Sequence, residues 1–216
     1  MTKDKATLLF KNLKKAIPSP KTELNYHSPF ELLIAVILSA QATDKGVNKV
    51  TPVLFKKAST PREIVALGID ALKNHIKTIG LYNAKATNII KTCELLVEKY
   101  NSQIPATRDE LMSLPGVGRK SANVILNTAF NQPTIGVDTH VFRVANRTGL
   151  AHGKTPIEVE LQLERSIPEK FKKIAAHLLV LHGRYTCKAK APLCLKCPIN
   201  QQCAYFDAQK ISLNSQ

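Results

Sequence analysis

The chain has 216 residues, of which 44% are hydrophobic, and it carries 31 lysines and arginines against 16 aspartates and glutamates, a formal net charge of +15 at pH 7. This composition excludes a chain that is disordered throughout and allows one or two folded domains. The longest apolar run, Leu32 to Leu38, is far shorter than the ~20 residues that cross a bilayer, and the charged N-terminus lacks a secretory signal, so we predict a cytosolic protein.

The excess of positive charge indicates a polyanionic partner, because Lys and Arg displace condensed counterions from DNA, RNA or an anionic membrane surface. The charge is concentrated in two stretches without any acidic residue, 71–93 and 184–206. Their basic residues are Lys73, Lys77, Lys85 and Lys91 in the first stretch, and Arg184, Lys188, Lys190 and Lys196 in the second. These stretches predict two basic surfaces, and the alternative is a set of lysines that only maintain solubility.

Four capping motifs predict where helices begin. Ser28, Thr60 and Thr155 are each followed by a proline and, three residues on, by a glutamate, and Thr107 repeats the pattern without the proline. A hydroxyl at the N-cap and a glutamate at the third helical position satisfy the free amides of the first turn. Since no segment alternates like a strand, we predict an all-α fold of about eight to eleven helices.

A glycine-containing turn at residues 114–120, Leu-Pro-Gly-Val-Gly-Arg-Lys, lies between two predicted helices. Gly116 and Gly118 allow the backbone to turn tightly and to approach a ligand, and the next helix begins with exposed amides that can bind phosphate. We therefore predict that this turn binds the phosphate backbone of DNA and does not contact the bases. The alternative is a tight connection between two helices with no ligand.

Lys120 and Asp138 are the candidate catalytic pair. Lys120 directly follows the turn, so contacts of that turn with phosphate would place its amine near a sugar. Asp138 lies in the segment 136–140, Gly-Val-Asp-Thr-His, just before a predicted helix. The alternatives are a solvated lysine and an aspartate that only caps the helix.

Four cysteines near the C-terminus, Cys187, Cys194, Cys197 and Cys203, predict a metal centre. Four thiolates in one short loop can hold either zinc or a 4Fe-4S cluster. Only Cys194 and Cys197 form a Cys-x-x-Cys pair, which favours the iron–sulfur cluster over a zinc site with two such pairs. The fifth cysteine, Cys93, lies on an apolar helical stripe and is predicted to be a core residue.

Several of these segments together resemble the endonuclease III family, the bifunctional DNA glycosylases and abasic-site lyases of the helix-hairpin-helix superfamily. They are residues 38–44, Leu-Ser-Ala-Gln-Ala-Thr-Asp, the turn with Lys120, residues 136–141, and the four-cysteine loop. The resemblance covers nearly the whole chain.

The resemblance implies two helical lobes. The first is a six-helix barrel at 22–132 that contains a helix-hairpin-helix motif at about 107–130. The second combines 1–21 with 133–216 and holds one 4Fe-4S cluster in the loop 187–203. The implied partner is double-stranded DNA with a damaged base or an abasic site, bound by a monomer that works at the bacterial nucleoid and not at a membrane.

The implied activity is base excision repair of oxidised pyrimidines, with strand cleavage 3′ to the abasic site by β-elimination. Lys120 would be the nucleophile that forms a Schiff base, and Asp138 would assist it. Gln41 and Leu81 would enter the stack that a flipped nucleotide vacates; their alternatives are a polar helix-end residue and a turn residue packed on the core. The DNA contacts implied in full are Gln41, Asp44, Leu81, Gly116, Val117, Gly118, Arg119, His140, Arg143 and Lys190.

Two other functions remain open at this point. A monofunctional adenine or mismatch glycosylase of the same superfamily shares the hairpin, the aspartate and the cluster, but it generally lacks a lysine at the position of Lys120. A non-enzymatic nucleic-acid-binding module would use the four cysteines to hold structural zinc.

Overall fold

The computed structural model describes residues 1–214, with side chains for residues 1–209, and this part of the chain is helical without any strand. The predicted all-α fold class is therefore confirmed. The helices are α1 (Lys3–Ala16), α2 (Pro29–Ser39), α3 (Asp44–Phe55), α4 (Pro61–Leu67), α5 (Ile69–Ile76), α6 (Tyr82–Lys99), α7 (Arg108–Ser113), α8 (Arg119–Phe130), α9 (Thr139–Thr148), α10 (Pro156–Ser166), α11 (Lys172–Tyr185) and α12 (Ala204–Asn214), with 3-10 turns at Glu169–Phe171, Cys194–Lys196 and Asn200–Gln202.

The described residues thus contain twelve α-helices, one more than the predicted upper number. Residues 61–76 form two short helices, α4 and α5. Gly68 separates the two helices, since it is both the C-cap of α4 and the N-cap of α5, and it has a positive φ angle of 78°. Glycine adopts this conformation without steric cost.

All four predicted capping motifs are confirmed. The hydroxyls of Ser28, Thr60 and Thr155 accept hydrogen bonds from the amides of the glutamates three residues on, at 3.2, 3.3 and 3.2 Å. The hydroxyl of Thr107 accepts from the amide of Glu110 at 3.4 Å. The local sequence therefore fixes where α2, α4, α7 and α10 begin.

The chain divides into two compact units. The central unit comprises residues 23–131, and the terminal unit comprises residues 1–22 together with the chain from 132 onward. None of the helices in the described residues is both long enough and apolar enough to cross a bilayer.

The central unit is built around α2. Every residue from Phe30 to Leu38 is buried, and α2 packs against α3, α6 and α8. A helix that is surrounded by other helices needs no polar face, which explains its continuous apolar run.

In the terminal unit, α9 packs against α10, α11 and α12, and α1 packs against α11. Phe10 of α1 stacks on Phe171 with a ring centroid separation of 5.6 Å. Gly183 permits the close approach of α9 to α11, because a Cβ atom there would lie 2.8 Å from Cβ of His140.

Candidate active site

The turn between α7 and α8 is anchored by two apolar side chains. Leu114 and Val117 are buried in the core of the central unit, and the amide of Val117 donates a hydrogen bond to the carbonyl of Leu114 at 3.0 Å. The side chain of Val117 is thus packed in the core, and its amide is bonded within the turn. Val117 therefore anchors the turn, and the glycines beside it form the exposed surface.

The two glycines differ in what surrounds them. Gly116 has φ +83°, and a Cβ atom there would lie 3.2 Å from Cβ of Asn88 and 3.4 Å from Cγ2 of Ile37. Gly118 begins α8 without a side-chain cap, and a Cβ atom there would meet nothing within 4 Å. The N-terminus of α8 therefore has no side-chain cap and has open space beside Gly118, which suits the binding of a phosphate at a helix N-terminus.

Lys120 and Arg119 occupy the first two positions of α8. The side chain of Lys120 is exposed and that of Arg119 is half-buried. Lys120 therefore lies in the first turn of α8, near any ligand that binds at the N-terminus of this helix.

Asp138 is the N-cap of α9 in the terminal unit. Its Oδ1 accepts hydrogen bonds from the amides of His140 at 2.9 Å and Val141 at 2.8 Å. Both bonds use the same oxygen, so capping does not require Oδ2. Asp138 therefore does cap α9, and its second carboxylate oxygen, Oδ2, is left for other chemistry.

Gln41 and Leu81 share an unusual backbone conformation. Both have positive φ angles, 53° and 61°, in the left-handed region that non-glycine residues rarely adopt. Both are exposed, and 60% of the Leu81 surface is accessible, so this side chain is not packed on the core. Asp44, the first residue of α3 after the Thr43 N-cap, is half-buried.

The guanidinium group of Arg143 contacts other parts of the terminal unit. It donates to the carbonyls of Cys187 and Gly183, both at 2.9 Å, and lies 3.1 Å from Nδ1 of His140. Arg143 therefore ties α9 to the end of α11 and to the cysteine loop.

The first predicted basic surface needs one correction. Lys85 is only 5% exposed, and its ammonium group donates to the carbonyl of Leu38. The prediction of a surface lysine at this position was wrong because α6 turns that residue toward α2. Lys77 and Lys91 are exposed, as are Lys188, Lys190 and Lys196 of the second basic stretch.

The four cysteines predicted to bind metal line one recess in the terminal unit. Apolar side chains such as Ile199 and Phe206 complete its wall. Burial, together with smaller contributions from the charges of the other three thiolates, raises the pKa of Cys197 to about 11. Four neighbouring thiolates in an apolar recess need a positively charged centre to remain ionised together.

Arg147 supports the cysteine loop and was not found by sequence reasoning. Its guanidinium group donates to the carbonyls of Lys188 at 2.7 Å and Ala189 at 3.0 Å, and it lies 3.5 Å from Sγ of Cys187. It also covers the ring of Tyr205 at 4.9 Å from the centroid. The one available signal is its position four residues after Arg143, on the same face of α9.

Comparison with known proteins identifies the family. The model of the HhH-GPD superfamily of base excision DNA repair proteins matches residues 34–169. Endonuclease III of Haemophilus influenzae is 58% identical over 205 residues, covering 95% of this chain and 97% of its own. Endonuclease III of Escherichia coli K12 is 55% identical with the same coverage.

Solved structures give the same result. The chain matches the structure of a trapped endonuclease III–DNA covalent intermediate with a TM-score of 0.90 and 45% identity, covering 97% of this chain and 99% of the other. A thermostable thymine-DNA glycosylase, at 21% identity and a TM-score of 0.83, shares the fold.

The chain therefore belongs to the HhH-GPD superfamily of base excision DNA repair proteins. Within that superfamily it is a member of the endonuclease III family, the bifunctional DNA N-glycosylases and abasic-site lyases.

Proposed function

We propose that this protein removes oxidised pyrimidines from duplex DNA and cleaves the strand 3′ to the resulting abasic site, with Lys120 as the nucleophile. The observation that carries the assignment of Lys120 is its exposed side chain in the first turn of α8, directly after a glycine turn that leaves open space beside the uncapped start of the helix. A solved structure with the same fold is a trapped covalent intermediate with DNA, which supports a nucleophilic mechanism in this chain.

In the first step, the neutral amine of Lys120 attacks C1′ of the damaged nucleotide. A C1′–N bond to the lysine forms while the bond to the base breaks, and the base leaves with a proton. Opening of the sugar ring then gives a protonated Schiff base between Lys120 and C1′.

In the second step, the positive Schiff base acidifies the protons on C2′. Loss of one of these protons forms a double bond as the C3′–O bond breaks, which releases the 3′ phosphate. Water then hydrolyses the Schiff base and returns Lys120 to its free form. One residue therefore serves both base removal and strand cleavage.

Asp138 is proposed to assist activation of the nucleophile and to stabilise the positive charge that develops on the sugar. The support for this role is its geometry at the start of α9, where two amides fix Oδ1 and capping leaves Oδ2 unused. A carboxylate whose orientation is fixed in advance needs little reorganisation during the reaction.

The substrate nucleotide must leave the duplex, because a stacked base and its sugar are not accessible to Lys120. Gln41 and Leu81 are proposed to fill the vacated stack, since both project from exposed turns in a rare backbone conformation. Filling the gap would offset part of the few kcal/mol that unstacking costs.

Sequence-independent binding is proposed to come from phosphate contacts. The amides of Gly116 and Gly118 and the side chain of Arg119 would hold the backbone beside the lesion, and Lys190 would contact phosphate farther away. Asp44 and His140 are proposed to support the active site and to contact DNA, respectively. Arg143 already donates to protein carbonyls, so its contribution would be to hold His140 and the cysteine loop.

The cysteines Cys187, Cys194, Cys197 and Cys203 are proposed to hold one 4Fe-4S cluster. The described residues contain no three His, Cys, Asp or Glu side chains close enough to share a single metal ion. A four-iron cluster does not require this, because each thiolate binds its own iron. When bound, the cluster would neutralise the thiolates and stiffen the loop that presents Lys188, Lys190 and Lys196 to phosphate.

The remaining proposals concern organisation and location. The central unit, which contains the seven helices α2 to α8 where the resemblance implied six, would be the barrel lobe, and the terminal unit would be the cluster lobe. The protein would act as a monomer on chromosomal DNA in the bacterial cytoplasm, since relatives with this function come from bacteria such as Haemophilus influenzae and Escherichia coli.

The test is reductive trapping with borohydride on duplex DNA that contains one abasic site. Wild-type protein should form a covalent complex, and Lys120→Ala should form none while binding the same DNA with similar affinity. Lys99→Ala removes an exposed lysine from α6 and should trap normally. Undiminished trapping by Lys120→Ala would show that another amine is the nucleophile.

The cofactor is tested separately by iron and zinc analysis of the purified protein, together with its visible absorption spectrum. A 4Fe-4S cluster predicts about four iron atoms per chain and broad visible absorption. One zinc atom per chain and a colourless protein would show that the four cysteines hold structural zinc and not a 4Fe-4S cluster.

A further inference from the structure

The end of α2 is closed by a lysine from another helix. The Nζ atom of Lys85, in the first turn of α6, donates a hydrogen bond to the carbonyl oxygen of Leu38 at 2.9 Å. Lysine is almost never buried without a partner, yet Lys85 is only 5% exposed. The fold therefore places a desolvated cation at the negative end of the α2 dipole, where it is stabilised.

The Leu38 carbonyl has no partner of its own in the turn that follows it. The neighbouring carbonyls at the end of α2 are satisfied locally, by the hydroxyl of Ser39 and by the amides of Ala40 and Ala42. The carbonyl of Leu38 is completed by the ammonium group of Lys85. Since a buried carbonyl without a partner is destabilising, removal of the Lys85 ammonium group would favour a different path of the chain after Leu38.

The segment after Leu38 leads directly to Gln41, and Lys85 also contacts the other exposed turn. Its amide donates to the carbonyl of Leu81 at 3.0 Å, as the first hydrogen bond of α6. The two turns abut, because a Cβ atom on Gly80 would lie 4.0 Å from the carbonyl oxygen of Gln41. The ammonium group of Lys85 is thus bonded to the segment that leads to Gln41, and its backbone amide is bonded to the adjoining turn of Leu81.

Both insertion residues need such support. A left-handed backbone is unfavourable for a non-glycine residue, and it persists only where the surrounding structure determines it. Gln41 and Leu81 both adopt this backbone, and neither is held by burial of its side chain. The contacts of Lys85 supply a constraint that the side chains themselves do not.

We propose that Lys85 is a positioning residue that holds the turns of Gln41 and Leu81 in the conformation that enters the DNA stack. This inference rests on the proposed function, because it concerns the step in which a nucleotide is flipped. Lys85 acts through the two turns and not on the sugar, so its loss should impair reactions that require unstacking more than reactions that do not.

The experiment compares Lys85→Met with wild type on two DNAs. The first is a paired duplex with one thymine glycol, and the second carries an abasic site in an unpaired bubble between duplex arms. We expect single-turnover excision from the duplex to fall about tenfold or more, since misplacement by ~1 Å can cost on the order of 100-fold. Cleavage in the bubble should change by less than about twofold. Lys99→Met removes a charge from the exposed end of α6 and should leave both rates unchanged.

Two further variants separate positioning from general stability. In a Gln41→Ala background, Lys85→Met should cost less than about twofold, because the side chain at the end of the segment that the Lys85 ammonium group holds is already absent. Lys85→Arg keeps a charged donor and should retain the wild-type ratio of duplex to bubble rates. If Lys85→Met is unfolded at the assay temperature, Lys85→Gln, which is shorter and uncharged, replaces it with the same expected loss on the duplex.

Equal losses on both DNAs, an undiminished duplex rate in Lys85→Met, or a changed ratio in Lys85→Arg would overturn the positioning role. Wild-type protein that cleaves neither DNA would instead overturn the proposed function itself.

Discussion

The central and terminal units hold their proposed functional residues by different means. In the central unit, buried residues such as Val117 and Lys85 fix the turns that carry Lys120, Gln41 and Leu81. In the terminal unit, the guanidinium groups of Arg143 and Arg147 tie α9 to the carbonyls of the cysteine loop.

This difference indicates which part of the site would depend on the proposed cofactor. The turns of the central unit are extensions of a hydrophobic core, which keeps its form without a ligand. The cysteine loop instead joins four thiols whose ionised forms repel one another, so its structure would depend on the proposed cluster. Loss of this cluster should therefore weaken DNA binding and leave Lys120 in place.

The largest effect is expected from Cys197→Ser. Iron content should fall from about four atoms per chain to near zero, and affinity for duplex DNA at low salt should fall on the order of tenfold as the loop cations lose their fixed positions. Trapping at saturating abasic DNA should persist, because Lys120 lies in the central unit. Iron analysis, equilibrium binding and borohydride trapping measure the three quantities.

Cys93→Ser is the matched control, since Cys93 is buried in the core of the central unit. It should keep its iron and its DNA affinity. Full iron content in Cys197→Ser, or loss of iron in Cys93→Ser, would contradict the assigned ligands.

A second comparison uses one glycine from each unit. In Gly183→Ala, the new Cβ would lie 2.8 Å from Cβ of His140 and 3.2 Å from Cγ2 of Val144. Forcing α9 away from α11 should lower the free energy of unfolding by about 1–3 kcal/mol. Thermal and denaturant unfolding measure the change, and an unaltered stability would show that the helices adjust without cost.

Gly118→Ala should behave in the opposite way. Its new Cβ would meet no protein atom within 4 Å, so the free energy of unfolding should not decrease. The methyl group would occupy the space proposed for phosphate, and DNA affinity should fall about three- to tenfold. Unchanged affinity would show that the turn between α7 and α8 does not contact DNA.

The pH dependence of stability reports on the core of the central unit. Burial, with a contribution from the charge of Glu94, raises the pKa of Cys93 from 9.0 to about 12. The unfolded chain therefore loses this proton first as the pH rises, so the stabilisation is complete below pH 9 and decreases above it.

The loss should reach roughly 1 kcal/mol at pH 10. Denaturant unfolding between pH 8 and 10 measures it, with Cys93→Ala as the reference for all other titrating groups. Parallel pH profiles for the two proteins would contradict the burial of an ionisable thiol.

The smallest effect is expected from Lys190→Ala. Lys190 is exposed in the cysteine loop, so loss of one phosphate contact should weaken DNA binding about two- to threefold and lower the salt slope by about 1, without a change in lesion preference. Lys11→Ala removes an exposed charge from α1 and should leave the salt slope unchanged. A selective loss for one lesion would give Lys190 a role in recognition.

Some features of the fold could be predicted because their causes are local. Each capping motif lies within four residues, so Ser28, Thr60, Thr107 and Thr155 indicate helix starts before any tertiary contact is known. The spacing of the four cysteines likewise indicates a shared site without a structure.

Other features could not be predicted because their partners are distant in the chain. A lysine in an acid-free stretch has the pattern of a surface residue, and only the packing of α6 on α2 shows that Lys85 is buried. Arg147 bonds to carbonyls about 40 residues away. For Asp138 the sequence left capping and catalysis open, and the structure shows that one oxygen is sufficient for the cap.

The most direct test of the central claim is to identify the amino acid that carries the sugar after borohydride trapping. The wild-type complex is digested with nuclease and protease, and the modified peptide is sequenced by mass spectrometry. The account predicts that the reduced sugar fragment is attached to Nζ of Lys120. A fragment attached to another lysine or to the N-terminal amine would contradict it.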